Sequence, residues 1–120
     1  MNVVGHRVLI VDDHPSFRAT ARVLLEAEGF DVVGEAADGA SALTEAGRLQ
    51  PEVVLLDVQL PDIDGFDVAA RLTGGVDGGP VVILVSSRDS SDFGPLVMRS
   101  GARGFVPKAE LSGDRLHALL

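Results

Sequence analysis

Three short runs in this chain are apolar at every position rather than at alternate ones: Val8-Leu9-Ile10-Val11, Val53-Val54-Leu55-Leu56 and Val81-Val82-Ile83-Leu84-Val85. A strand with one face in water alternates polar and apolar residues, whereas a strand covered on both faces has no polar face to show. The enrichment in Val and Ile favours strands over buried helices of the same length. Gly104-Phe105-Val106 is a weaker run of the same kind, and Phe30-Asp31-Val32-Val33-Gly34 is a less pure fifth candidate. A sheet built from such runs has to be covered on both sides.

The segments between the runs supply the cover. Phe17, Ala21, Leu24, Leu25 and Glu28 step by threes and fours, with Pro15 suited to a first helical turn and Gly29 to the stop. Ala42, Leu43, Ala46 and Leu49 form a second stripe, ended by Pro51. Phe66, Val68, Ala69 and Leu72 form a third, ended by Gly74-Gly75. Phe93, Leu96, Val97 and Ser100 form a fourth, with Pro95 early and Gly101 as the stop, and a fifth starts near Ser112 and runs through Leu116, Leu119 and Leu120. Strand and helix thus alternate five times, which predicts an α/β fold: a mainly parallel sheet with helices on both faces. The glycine-rich stretch Gly74 to Gly79 comes after a helix, not a strand, and lacks the spacing of a phosphate-cradling loop, so it reads as a surface loop.

The 120 residues are one domain's worth and can bury a real core. Cysteine is absent, which excludes a disulfide scaffold, a thiolate zinc site and thiol catalysis. The net charge of −8 repels phosphate backbones and speaks against direct nucleic-acid binding. No apolar stretch approaches the roughly 18 residues that a membrane span needs, and the first residues do not form a signal peptide, so a cytoplasmic location is expected. The chain ends on Leu119-Leu120 without a helix cap, which suggests residues 1–120 as the N-terminal domain of a longer protein.

The chemistry lies in the polar residues at the end of each run. Asp12 and Asp13 come directly after the first, Asp57 after the second, Ser86 and Ser87 after the third, and Lys108 just after Val106-Pro107. In a parallel sheet these positions share one edge, and open α/β sheets bind ligands outside the carboxyl ends of their strands. Three carboxylates, a hydroxyl and an ammonium therefore converge. Two carboxylates about 5 Å apart repel by about 3 kcal/mol at an effective dielectric of 20, so the cluster calls for a cation beyond Lys108. Oxygen ligands with retained waters suit Mg²⁺. Such a set supports phosphoryl transfer, with a carboxylate attacking in line. The same residues have plainer readings: Asp13 and Asp57 as helix caps, Asp12 as a solvated strand-end acid, Lys108 as a surface charge. His6, His14 and His117 show no pairwise ligand spacing and read as surface residues or cap donors. Asp62 and Asp64 read as turn acids, Asp62 also as a candidate to tune access to Asp57.

Four segments, in order, carry a family resemblance: Val8 to Pro15 (Val-Leu-Ile-Val-Asp-Asp-His-Pro), Val54 to Gly65 around Asp57, Leu84-Val85-Ser86-Ser87, and Gly101 to Lys108. The chain resembles the receiver domain of a two-component response regulator over nearly its whole length. Its Asp-Asp-His-Pro opening and Gly-Ala-x-Gly-Phe stretch are most similar to the NarL/FixJ (LuxR-type) branch. The resemblance implies a doubly wound, flavodoxin-like five-stranded sheet of order 2-1-3-4-5. It implies Asp57 as acceptor of a phosphoryl group from the phosphohistidine of a sensor histidine kinase. Asp12, Asp13, Asp57 and the backbone carbonyl of Gln59 would hold Mg²⁺, and Lys108 would pair with the phosphate. Ser86 would be the switch hydroxyl and Phe105 the aromatic that turns inward with it. Arg99, Arg103 and Arg115 would lie on a partner or homodimer surface, and DNA would be reached only through a C-terminal domain outside these residues.

The sequence departs from the family pattern in three places. Ala109 rather than proline comes after Lys108, Ser86 replaces the commoner threonine, and Phe105 lacks a tyrosine's hydroxyl. Two other classes compete. A phosphatase of the haloacid dehalogenase type needs a second carboxylate two residues after its nucleophile, where this chain has Gln59. A pseudo-receiver that only binds partners would have a broken acidic cluster, and this one is intact.

Overall fold

The computed structural model describes residues 5–74, 79–87 and 94–120. The chain runs β1 (Arg7–Val11), α1 (Pro15–Ala27), β2 (Asp31–Ala36), α2 (Gly39–Leu49), β3 (Val53–Asp57), α3 (Gly65–Thr73), β4 (Val81–Ser86), α4 (Gly94–Arg99), β5 (Gly104–Pro107), a short 3-10 turn (Lys108–Glu110) and α5 (Gly113–Leu119). The five strands form one parallel sheet in the order β2-β1-β3-β4-β5. The doubly wound architecture and strand order expected from the sequence are both present. Phe93 and residues 75–78 lie outside the described residues, as does the stretch between Ser87 and α4.

The all-apolar strands divide their side chains between two cores. Val8, Ile10, Val53, Leu55, Ile83 and Val85 face one side, where Ala21 and Leu25 of α1 and Leu116 of α5 cover them. Leu9, Val11, Val54, Leu56, Val82 and Leu84 face the other, against Ala42 and Ala46 of α2 and Val68 and Ala69 of α3. This is the period-two geometry of a strand with apolar cover on both faces. Helix α4 covers least: none of its described side chains is buried, and Leu96 and Met98 are exposed.

Local chemistry sets the helix ends. Pro15 opens α1 at a position whose N–H has no intrahelical partner. Gly29, just past that helix, adopts φ +92°, a left-handed conformation that glycine enters without a Cβ clash. Asp38, Asp64 and Ser112 cap α2, α3 and α5 by accepting from the N–H groups of Ser41, Phe66 and Arg115. At the far end of α2, the Arg7 guanidinium donates to the carbonyls of Leu49 and Gln50 at 2.6 and 2.7 Å. Those carbonyls lack helical partners, and a cation suits the negative end of the dipole.

Two features fix the rim of the sheet. The first is Gly65, whose N–H donates to the Val58 carbonyl at 3.0 Å. A Cβ at residue 65 would press into the Asp57 carbonyl and come within 2.6 Å of Val58 Cα, so only glycine lets α3 start this close to the end of β3. The second is a guanidinium pair on α1. Arg18 and Arg22 each donate through Nε to Glu35 of β2, at 3.0 and 2.8 Å, and Arg18 also donates to the Asp12 carbonyl at 2.6 Å. The hydrogen bond from Arg22 holds the Glu35 carboxyl below its usual range, against the opposing effect of burial and with help from Arg18.

These contacts can be checked by stability measurements. Gly65→Ala should destabilise the fold by about 1–3 kcal/mol, because backbone atoms have to move; a urea midpoint equal to that of the parent would contradict the close approach. Glu35 has a folded-state pKa below its unfolded one, so its stabilisation is present above the ordinary carboxylate range and fades as pH falls through the depressed value. The stability gap between the parent and Glu35→Gln should therefore be full near neutrality and close below about pH 4, the ordinary glutamate range. A gap that stays constant down the acid limb would count against the pairing.

Candidate functional site

The carboxyl ends of β1, β3, β4 and β5 lie along one edge, and each delivers a polar residue there. Asp12 comes directly after β1; its N–H continues the ladder to the Ala36 carbonyl at 3.0 Å, and its side chain is fully buried. Asp57 is the last residue of β3, in register with Val85, and is also buried. Ser86 ends β4 opposite Pro107 and is buried at the rim, while Ser87 beside it is exposed. Lys108 is the first residue after β5, at the start of the 3-10 turn. The described peptide bonds are all trans, Lys108–Ala109 included.

Lys108 joins what the sequence separates. Its Nζ lies 2.6 Å from Asp12 Oδ2 and 3.1 Å from Asp57 Oδ2, and it donates a hydrogen bond to the latter. The same ammonium is ion-paired with the buried Oδ2 of Asp12, and that contact works to keep the Asp12 carboxyl ionised. Asp12 Oδ1 accepts from the His14 N–H at 2.8 Å, and Asp57 Oδ1 from the Gln59 N–H at 3.0 Å.

The electrostatics divide the two acids. Burial pushes the Asp57 carboxyl up; the Gln59 N–H works against this, the charge of Asp12 adds to it, and the net result is above the usual range. Burial also works upward on Asp12, but the Lys108 ammonium and the His14 N–H outweigh it and hold that carboxyl low. Burial alone would lower Lys108, yet its two carboxylate partners keep it raised and charged. Like charges a few Å apart separate in this manner when a single cation serves both.

Asp13 is the most open of the three acids, with its side chain 36% exposed. It does not cap α1: the residue preceding that helix is His14, which makes no side-chain cap. Instead His14 Nδ1 sits 3.0 Å from Asp12 Oδ1 and 3.1 Å from Asp13 Oδ1. One ligating atom each from Asp12, Asp13, His14 and Asp57 all lie within 4.8 Å of one another. The spacing of the histidines gave no hint of this; the signal was the position of His14 directly after two acids and before a helix-starting proline. A donor set dominated by carboxylate oxygens fits a hard divalent cation.

The remaining candidates lie around this centre. Phe105 in β5 pairs with Leu84 and packs half-buried against the core of the α2–α3 side. Asp64 caps α3, and Asp62 reaches across to α2, where its carboxylate accepts from the Gly39 and Ala40 N–H groups at 2.7 and 2.9 Å. Those two N–H groups hold its carboxyl below the usual range. Arg103 donates to the Leu119 carbonyl at 3.1 Å and Arg115 pairs with Glu110 at 2.7 Å, both exposed, while Arg99 lies in the last turn of α4. Among the described residues no helix is long and apolar enough to cross a membrane.

Known proteins resemble this chain in sequence and fold. Residues 8–120 match the response regulator receiver domain. BvgA of Bordetella pertussis, whose name describes a positive transcription regulator of virulence factors, is 43% identical over 106 residues, covering 88% of this chain and 50% of BvgA. The DNA-binding response regulator MtrA of Mycolicibacterium smegmatis is 40% identical over 110 residues, covering 90% of this chain and 46% of MtrA. The chain thus spans about half the length of these relatives. Among solved structures, the signal receiver domain of NarL from Mycobacterium tuberculosis has a TM-score of 0.83 at 35% identity, covering 98% of each chain. A LuxR-family two-component response regulator from Aurantimonas sp. SI85-9A1 has a TM-score of 0.80 at 28% identity, covering 95% of this chain and 81% of that one. A match over almost the whole length, on a fold whose strand ends gather Asp12, Asp13, Asp57 and Lys108, establishes that the chain belongs to the response regulator receiver family of two-component signalling, on its NarL/FixJ branch.

Proposed function

We infer that the chain accepts a phosphoryl group on Asp57 from a phosphohistidine of a sensor histidine kinase and uses it to change the affinity of an output surface. The observation that supports this most is the Lys108 ammonium held between Asp12 and Asp57, 2.6 and 3.1 Å from their oxygens. Asp12, Asp13, Asp57 and the Gln59 carbonyl are the residues to hold Mg²⁺. When bound, the metal supplies positive charge against the phosphoryl oxygens.

In the transfer, an Asp57 carboxylate oxygen attacks phosphorus and the phosphorus–nitrogen bond of the phosphohistidine breaks. The imidazole ring, protonated on its other nitrogen, takes the electron pair of the broken bond and leaves as neutral imidazole, and the product is an acyl phosphate. The Gln59 N–H keeps the other Asp57 oxygen in place during the attack. Lys108 moves its hydrogen bonding from the carboxylate to a phosphoryl oxygen, neutralising charge from a preset position. Ser86 offers its hydroxyl to the same group, and Phe105 turns with it. A dianion added here favours whichever arrangement of the β4 and β5 ends accommodates it, which is a population shift. Nothing in this scheme regenerates a substrate: Gln59 stands where a hydrolase of the aspartyl-nucleophile type needs an acid.

The relatives BvgA and MtrA are longer, and the acidic surface here does not suit a phosphate backbone. Residues 1–120 therefore act as the receiver part of a cytoplasmic transcription regulator, with DNA contacted by another domain. The exposed face carrying Arg99, Arg103 and Arg115 is the surface for a partner or a second copy.

Treatment with a small phosphodonor and Mg²⁺, then rapid quenching and intact-mass measurement, should add one phosphoryl mass to the parent and none to Asp57→Asn. An unmodified parent, or equal labelling of the variant, would overturn the assignment. The metal reading has its own check. A cation at a hundredfold excess over its Kd stabilises by about 2.7 kcal/mol, so Mg²⁺ should raise the melting temperature over that in chelator. Asp13→Ala should lose that rise, and an equal rise in both proteins would place the metal elsewhere.

A further inference from the structure

Phe17 carries a contact that helical packing does not require. It lies on the first turn of α1, half-buried, and its inner edge packs against the core that α1 and α5 cover. Its ring also lies beneath Lys108, with Nζ 4.5 Å from the centroid. An ammonium within about 6 Å of an aromatic face is attracted by the ring quadrupole, more strongly when water is excluded. Here water is largely excluded, since the Lys108 side chain is only 16% exposed.

We propose that Phe17 is a positioning residue for Lys108, its ring face fixing the ammonium in the bridge between Asp12 and Asp57. An ammonium has three donors on a flexible stem of four carbons. Asp12 and Asp57 take two sides of Nζ, and the Phe17 ring lies against another. An aliphatic residue at 17 would fill the same space beside Ala21 and Leu25 but would present no negative face. The ammonium would then be held by the two carboxylates alone, with nothing to fix its third side, and its donors would be less sharply aimed before the phosphoryl group arrives. Preorganised charge of that kind is what stabilises an incoming anion without reorganisation. The inference rests on the phosphoryl-acceptor reading of Asp57, since it concerns how tightly that site holds a phosphoryl-like group.

The probe is beryllofluoride, a stable mimic of the acyl phosphate, titrated in the presence of Mg²⁺ into the whole chain. Phe17→Leu should bind it about tenfold more weakly, while Phe17→Tyr should restore binding to within about twofold of the parent, because it keeps the ring face. Replacing Phe17 by phenylalanines bearing one, three and five ring fluorines leaves the shape nearly unchanged and drains the quadrupole stepwise, so affinity should fall along that series while the melting temperature stays level. The fluorinated series also decides the matter if Phe17→Leu does not fold. Flat affinity along the series, with the parent binding normally, would overturn the role of Phe17 and leave the acceptor reading standing. A parent that binds no beryllofluoride would remove the acceptor reading and this inference with it.

Discussion

One ammonium ion organises the carboxyl edge of this sheet. Lys108 stands between Asp12 and Asp57, which arrive from β1 and β3, while its own backbone extends from β5. Without it, two buried carboxylates about 5 Å apart would repel by about 3 kcal/mol at an effective dielectric of 20. With it, Asp12 is held ionised, and Asp57, desolvated and beside the Asp12 charge, lies above its usual range. The bridge leaves an excess of negative charge at Asp13 and the open side of the pocket, and that excess gives a divalent cation a reason to bind.

The rest of the fold serves this geometry by being stiff. Strands packed on both faces cannot slide without moving a whole set of side chains out of its core, so the ends of β1, β3 and β4 stay level. Gly65 lets α3 start against the end of β3, and Asp62 ties the loop after Asp57 to the N-terminus of α2. Arg18 links the Asp12 carbonyl to Glu35, so α1 is anchored to the rim as well. The looser side is α4, which buries none of its described side chains.

Much of this was legible in the residues. The continuous apolar runs specified strands covered on both faces, and Pro15, Gly29 and Ser112 marked helix ends that the structure keeps. The polar residues just past each run located the site, because strand direction is common in a parallel sheet. What escaped the sequence depends on tertiary neighbours. His14 lies among the acids because the chain turns after Asp12, which no spacing of histidines reveals. Phe17 counted only as part of a helical stripe, although Lys108, far along the chain, comes to rest over its ring. The 3-10 turn that begins at Lys108 had no periodic signature, being a single turn. Asp62 read as a turn acid, and its reach to the Gly39 and Ala40 N–H groups depends on α2 and the loop after β3 meeting in space.

Acids from separate strands gather beside Lys108 into one cluster with the chemistry of a cation site. Crystals soaked in Mn²⁺, an oxygen-seeking substitute for Mg²⁺ with a usable anomalous signal, test it directly. The account predicts one strong anomalous peak bounded by the side chains of Asp12, Asp13 and Asp57, with Lys108 on its far side. A map with no peak there, or with its strongest peak among the surface acids, would contradict it.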